Sequence, residues 1–201
     1  MKQVQVLLWD VGGVLLTNAW DHDERECAFE RFRLAKDDFE ARHKEVFIDL
    51  EMGKLTLDEY LDRTVFYQDR DFTRQDFKDF MFSLSKPKAS VLEFARALSR
   101  RYLMLTVNNE SRELNEYRIR QFGLNHIFPF FVSSCYVGLR KPDEKIYRLA
   151  LNLIQKAPEE CCFIDDRAGN LEGAAKVGIN TVLMRDVAQL KSDLQKLGIH
   201  T

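Results

Sequence analysis

The chain of 201 residues has few cysteines, and none of the four stands in a CxxC pair or beside a paired-histidine motif. Neither a zinc site nor a disulfide framework is suggested, so Cys27, Cys135, Cys161 and Cys162 are expected to be buried, reduced thiols. No apolar stretch approaches the roughly 18 residues needed to cross a bilayer. The apolar run of the N-terminal MKQVQVLLWDVGGVLL is broken by Asp10 and followed by no small-residue cleavage site, so it does not read as a signal peptide. A soluble, cytoplasmic protein is expected. Charge of one sign is also lacking: 30 basic residues face 32 acidic ones, for a net charge of −2. Without a basic field, nucleic acid and anionic membrane surfaces are poor partners, and a small molecule or a protein is the better expectation. No internal repeat or low-complexity tract is visible, and the oligomeric state is not legible.

What is present is enough apolar material, 45% of residues, for one full-sized core and a smaller appended unit. Residues 4–9 (VQVLLW) form a short apolar run ending at Asp10 and Gly12-Gly13, which predicts a buried strand delivering a carboxylate into a tight turn. The pattern recurs at 102–107, at 130–133, at 161–164 before Asp165-Asp166, and at 181–184. Helical patterns separate these strands. One follows a Ser90-x-x-Glu93 capping box, one opens at Asn109-Glu110-Ser111 and stops near Gly123, and others cover 143–155 and 168–177. Alternating strands and helices predict an α/β fold with a doubly wound parallel sheet. Residues 18–88 break the alternation, with helix signals only, at 21–33, 36–47, 56–68 and 73–83. Between 17 and 89 there are 18 acidic and 13 basic side chains, so this insertion is acidic while the rest is mildly basic. The expected division is a core of 1–17 and 89–201 and a helical domain of 18–88, joined near 16–18 and 86–88.

In an open parallel sheet, ligands gather at the carboxyl ends of the strands, where the crossover direction switches. Asp10, Asn108, Asp165 and Asp166 all fall at predicted strand ends, so one crevice is expected to hold three carboxylates and an amide. Clustered carboxylates repel unless a cation neutralises them, and hard oxygen ligands suit Mg²⁺. With that charge offset, Asp10 is placed to attack phosphorus and form an aspartyl-phosphate.

Four segments, LLWDVGGVLL, LTVNNES, VGLRKPDEKIY and CCFIDDRAGN, occur in the order and spacing of the haloacid dehalogenase-like (HAD) superfamily, which the chain resembles over nearly its whole length. The resemblance implies a Rossmann-like core in which Asp10 is nucleophile and metal ligand, the Gly12 carbonyl a second ligand, and Asp165 and Asp166 the rest of the Mg²⁺ site. It gives Lys141 the transferring phosphoryl group. It places Asn108 where the family has a phosphate-binding Ser or Thr, with Thr106 competing if the register shifts by two. Asn109 is a ligand contact or a helix cap. The stretch 18–88 resembles the α-helical cap of one HAD subclass, with Glu51-Met52-Gly53-Lys54 as a cap loop. Its aromatics, Phe66, Tyr67, Phe72, Phe77, Phe80 and Phe82, are expected to pack the cap's core rather than line a pocket.

One departure matters: Gly12 stands where the family's acid/base Asp would be, and a glycine transfers no proton. The first motif is similar to that of the glucose-1-phosphate phosphatase type, which also has Gly there. Asp21, His22 and Asp23 are candidates for the missing group. The expected activity is Mg²⁺-dependent hydrolysis of small phosphate monoesters, sugar phosphates among them. A weakly active or inactive scaffold that binds a ligand or protein is the alternative, favoured by Gly12 and Asn108. A haloacid dehalogenase, in which Asp10 attacks carbon without a metal, is a third reading, and the Asp165-Asp166 pair counts against it.

Overall fold

Val6 and Leu8 point to one side of the first strand and Leu7 and Trp9 to the other, and all four are fully buried. A strand buried on both faces needs cover on both faces, which only a sheet layered between helices provides. The computed structural model has that architecture and describes residues 3–18 and 20–200. Residues 1, 2, 19 and 201, assigned from sequence to the core's two ends and to the insertion, lie outside the described residues.

Five strands, β1 (Val6–Trp9), β2 (Leu103–Asn108), β3 (Phe130–Ser133), β4 (Cys161–Asp165) and β5 (Asn180–Leu183), form a parallel sheet in the order β3-β2-β1-β4-β5. Register is continuous across the centre, with Leu8 beside Leu105 on one side and Phe163 on the other. The chain runs outward from β1 to β3 and then returns to place β4 on the opposite flank. The order therefore reverses between β1 and β4, and a crevice opens beyond their carboxyl ends.

The helices in chain order are α1 (His22–Phe32), α2 (Lys36–Glu51), α3 (Leu57–Thr64), α4 (Arg74–Ser83), α5 (Ala89–Leu98), α6 (Arg112–Gln121), α7 (Ser134–Val137), α8 (Glu144–Ile154), α9 (Ala168–Lys176) and α10 (Val187–Lys196). Leu7, Trp9, Val91, Phe94 and Leu190 share one hydrophobic cluster, and Val6, Leu8, Ile146, Tyr147 and Leu171 share the cluster on the other face. The helices α1 to α4 surround a third cluster that includes Phe39, Leu57, Leu61 and Phe77. Phe77 is fully buried there and Phe66, Phe72, Phe80 and Phe82 pack against it, whereas Tyr67 is exposed. The segments entering and leaving this helical unit run side by side: Thr17 N–H donates to the Lys86 carbonyl at 2.9 Å, and Lys88 N–H to that of Leu15 at 3.0 Å.

Several local expectations are corrected. The Ser90 capping box does not form. Lys88, held by Leu15, is the residue before α5, and the helix starts two positions earlier than the motif implied, without a side-chain cap. The second helix runs a turn longer than 36–47 and stops just before Gly53, whose φ of 69° is left-handed. The third is shorter than 56–68, although its Thr56–Glu59 capping box is present. Helices α7 and α10 lie where the sequence pattern predicts none. All four cysteines are free as expected, but Cys27 is exposed and only the other three are buried. No helix among the described residues is long and apolar enough to cross a membrane.

Candidate active site

Asp10 follows β1, and its N–H donates to the Ile164 carbonyl of β4 at 2.9 Å, which locks the first residue past the strand to its neighbour. Asp165 ends β4, and its own carbonyl is gripped from β5 by Met184 N–H at 2.9 Å. Both carboxylates therefore issue from adjacent strands at the point of reversal. Lys141, nearly fully buried, places its ammonium 2.8 Å from Asp10 Oδ1 and 2.6 Å from Asp165 Oδ2. A buried cation bridging two buried anions offsets much of the cost of removing each from water.

Each oxygen of this cluster has a definable status. Asp10 Oδ1 accepts from Val11 N–H at 2.8 Å as well as from Lys141, and Oδ2 accepts from no group among the described residues. Asp165 is also held by Arg167 N–H at 2.8 Å and by the Asn170 amide at 3.0 and 3.1 Å. Asp166 differs: its Oδ1 is buried and has no hydrogen-bond partner among the described residues. Burial raises the Asp166 carboxyl above its ordinary range, and the Asp165 charge raises it further. Asp10 is pushed up to about 6, chiefly by burial, with Lys141 opposing and Asp165 reinforcing the shift.

One oxygen from each of Asp10, Asp165 and Asp166 lies within 4.8 Å of the others, a spacing that suits a shared cation. The orphaned Asp166 oxygen fits the same group, since a buried unpaired carboxylate oxygen needs a positive partner. The turn after β1 is built around this carboxylate. At Gly13, with φ of 74°, a Cβ would stand 2.0 Å from Asp166 Oδ2. Only glycine lets Asp166 come this close.

The amides predicted to meet a ligand are placed differently. Asn108 ends β2 and is buried; its Nδ2 donates to Asn115 Oδ1 at 3.0 Å and its Oδ1 accepts from Ser133 Oγ at 2.9 Å. It does not line the crevice, because helix α6 and strand β3 supply neighbours that engage it. Thr106 is fully buried, one step deeper along the same face, and its hydroxyl has no partner among the described residues. Asn109 does line the crevice and caps no helix, since Ser111 precedes α6. Its amide instead pairs with the backbone of Lys141, at 2.8 and 3.0 Å. Of the three candidate proton donors, only Asp21 lines the crevice, where its Oδ2 meets Arg167 at 2.5 Å. His22 and Asp23 have largely exposed side chains, 63% and 99% accessible, because they start α1 on its outer side.

The crevice continues into a cavity of about 860 Å³ walled on one side by the sheet's carboxyl edge and on the other by the helical unit. That is the size of a small-molecule site. On the helical side, Arg25 is held by Glu40 through two bonds of 2.7 and 3.2 Å. The Trp20 indole donates to the Tyr60 oxygen at 2.8 Å, and the Tyr60 hydroxyl lies 2.8 Å from His43 Nδ1. Tyr60 is fully buried, and its hydroxyl shares one hydrogen bond with His43 Nδ1, the donor being set by the imidazole tautomer. Burial, aided by Arg25, drives His43 down to about 4, so the ring is neutral near pH 7. Glu51 joins the unit to the core by two bonds from Arg140, at 2.6 and 3.0 Å, and its carbonyl accepts from Ser134 at 2.6 Å.

Sequence reasoning missed one pair altogether. Arg118 is 2% exposed and Glu110 8%, and they meet at 2.8 Å inside the crevice. Arg118 also donates to the Thr17 carbonyl. The nearest sequence signal is that Glu110 lies between a strand end and a helix start, a position where polar side chains often act locally.

A family model for the haloacid dehalogenase-like hydrolases matches residues 4–178. The chain belongs to that family. Flavin mononucleotide hydrolase 1 of Arabidopsis thaliana is 26% identical over 205 residues, covering 99% of this chain and 80% of that protein. Bifunctional epoxide hydrolase 2 of Rattus norvegicus is 38% identical over 74 residues, 37% of this chain, and the Sus scrofa protein 37% identical over 70 residues, 35% of this chain. The matched stretch spans only 13% of the length of each epoxide hydrolase. Among solved structures, a HAD family enzyme from Bacteroides thetaiotaomicron, in complex with magnesium and inorganic phosphate, superposes with a TM-score of 0.80 at 21% identity. It covers 93% of this chain and 98% of that one.

Proposed function

We propose that this chain is a Mg²⁺-dependent phosphatase of small phosphate monoesters that works through an aspartyl-phosphate on Asp10. The observation that carries the reading is the cluster of Asp10, Asp165 and Asp166, bridged by Lys141 at the base of a small-molecule cavity. The side chains of Asp10, Asp165 and Asp166 with the Gly12 carbonyl would hold Mg²⁺, which supplies charge neutralisation for an incoming phosphate. Asp10 Oδ2, free of partners among the described residues, is the attacking oxygen, and Lys141 holds the transferring phosphoryl group. Asn109 positions Lys141 through its backbone. The helical unit 18–88 serves as the cap and the remainder as the core. In this reading the cap excludes water and selects the substrate with residues such as Arg25 and His43.

The names of two relatives agree with this chemistry: one is a flavin mononucleotide hydrolase, and the other was captured with magnesium and inorganic phosphate. Gly12 and the engagement of Asn108 by Asn115 and Ser133 support a second reading, a ligand-binding scaffold with little turnover. The test is an assay of the purified protein on a panel of phosphate monoesters, with and without Mg²⁺, beside Asp10→Asn. Phosphate release that needs both Mg²⁺ and Asp10 is expected. No release in protein that binds Mg²⁺ favours the scaffold. Metal-independent release of halide from 2-haloacids would move Asp10 to carbon chemistry.

A further inference from the structure

We infer that Glu110 takes the place of the missing acid/base at position 12, giving a proton to the leaving-group oxygen and later taking one from the attacking water. The inference rests on the phosphatase reading above and names the group that reading lacks.

Position comes first. A Cβ built on Gly12 would lie 3.6 Å from Arg118 NH1 and 3.6 Å from Asn18 Oδ1, both ordinary contacts. The space into which a side chain at 12 would project is thus bounded by the Arg118 guanidinium. That same NH1 donates to Glu110 Oε2 at 2.8 Å. The Glu110 carboxyl therefore sits one hydrogen bond away from the vacated site, in the wall of the cavity that holds Asp10 and Lys141. Its side chain is 10% exposed, so it reaches the cavity from an otherwise buried position.

Orientation is fixed from both sides. Glu110 Oε1 accepts from Ser111 N–H at 3.1 Å, and the Glu110 N–H donates to Ser134 Oγ at 3.0 Å. Arg118, itself anchored to the Thr17 carbonyl, cannot serve as the acid, because a guanidinium keeps its proton at any working pH.

Elimination points the same way. The acids Asp21, Glu40 and Glu51 of the cavity wall are each paired with an arginine, as Glu110 is with Arg118, and position separates them: Arg118 is the arginine that borders the space at Gly12. His43 is held neutral and offers a hydrogen bond rather than a transferable proton. Burial pushes the Glu110 carboxyl up to about 7, against the opposing Arg118 charge and with reinforcement from Glu51. The Cys135 thiol, also nearby, is pushed up to about 12 and stays neutral. An acid that is half ionised near pH 7 suits both halves of the cycle.

The steps balance. As the bond from Asp10 Oδ2 to phosphorus forms, the ester P–O bond breaks and its electron pair goes to the leaving oxygen, which takes the Glu110 proton. Water then attacks the phosphoryl group and gives a proton to the Glu110 carboxylate. The Asp10–phosphorus bond breaks, releasing phosphate and restoring both side chains.

The test compares 4-nitrophenyl phosphate, whose phenolate leaves without help, with a primary alkyl phosphate such as glycerol 3-phosphate. In Glu110→Gln, kcat on the alkyl ester should fall about 10²-fold or more. The loss on the aryl ester should be at least about ten times smaller, and Gly12→Asp added to that variant should recover alkyl-ester turnover. The wild-type protein provides a readout independent of the variant's folding: its kcat/KM should depend only weakly on leaving-group pKa across a series of aryl and alkyl esters. Equal losses on both esters, or a steep dependence in the wild type, would overturn the inference while leaving the phosphatase reading intact. Absence of Asp10-dependent release from either ester by the wild type would overturn both.

Discussion

The side-chain amide of Asn109 clasps the backbone of Lys141 on both sides, accepting from its N–H at 2.8 Å and donating to its carbonyl at 3.0 Å. The two residues are far apart in sequence, and this pairing ties the loop after β2 to the loop that carries the buried ammonium. Asn109→Ala should leave Lys141 charged but loosely placed. We expect kcat/KM for a phosphate ester to fall about ten-fold, the kinetic equivalent of roughly 1.4 kcal/mol, with the Mg²⁺ concentration for half-maximal activity little changed. A large shift in that Mg²⁺ dependence would show that Asn109 serves the metal ligands instead.

Lys141 itself is the counter-charge of Asp10 and Asp165, and removing one partner of a buried pair leaves the others uncompensated. Lys141→Met should cost about 3–5 kcal/mol of unfolding free energy near pH 8 without Mg²⁺. Added Mg²⁺ should recover part of that loss, since a cation in the carboxylate cluster does electrostatically what the ammonium did. Urea unfolding of both proteins with and without Mg²⁺ measures this directly. A deficit that Mg²⁺ leaves untouched would argue against the carboxylates as its site.

Much of this arrangement was legible in the sequence. Short apolar runs ending in acids mark strand ends, so Asp10, Asp165 and Asp166 converge as the pattern implied, and all five predicted strands are present within a residue or two. The place of Lys141 beside two of these carboxylates followed from the resemblance of its VGLRKPDEKIY segment to the HAD family. What stayed hidden depends on neighbours that sequence spacing does not reveal. Asn108 sits at the expected strand end, yet Asn115 from α6 and Ser133 from β3 take up its amide. Charged residues on an amphipathic helix ordinarily face water, so nothing marked Arg118 as buried or Glu110 as its partner. The Ser90 motif failed because a backbone bond between Lys88 and Leu15 sets where α5 begins.

The two adjacent glycines of the first turn should respond to alanine in opposite ways. At Gly12 a Cβ meets nothing closer than 3.6 Å, so Gly12→Ala should fold normally and keep its Mg²⁺ response. At Gly13 the backbone is left-handed and the Cβ would strike Asp166 Oδ2 at 2.0 Å. Gly13→Ala should therefore lose about 1–3 kcal/mol from backbone strain alone. It should also lose most of the Mg²⁺-induced rise in Tm, because Asp166 must move. Thermal melts of the two variants across a Mg²⁺ titration make the comparison, and a full Mg²⁺ response in Gly13→Ala would remove Asp166 from the metal site.

Glu110 also leaves a mark on stability that is separable from catalysis. Its carboxyl titrates near the ordinary value of 4.5 in the unfolded chain but is raised to about 7 in the fold, mainly by burial. Between those values the folded protein binds more protons than the unfolded chain, so this group's contribution is fully present below about pH 4.5. It is lost as pH rises through 7, and above that it changes no further. Glu110→Gln cannot lose a proton and lacks the decline. Whatever constant penalty the variant carries from its altered contact with Arg118, its urea midpoint relative to wild type should improve steadily from pH 4.5 to 7 and then level off. Taking the difference between the two proteins cancels the opposing titrations of His43 and Asp10, which both retain. A difference that is flat across this range would mean that Glu110 is ionised throughout in the fold, held as a plain ion pair by Arg118 and without a proton to give at neutral pH.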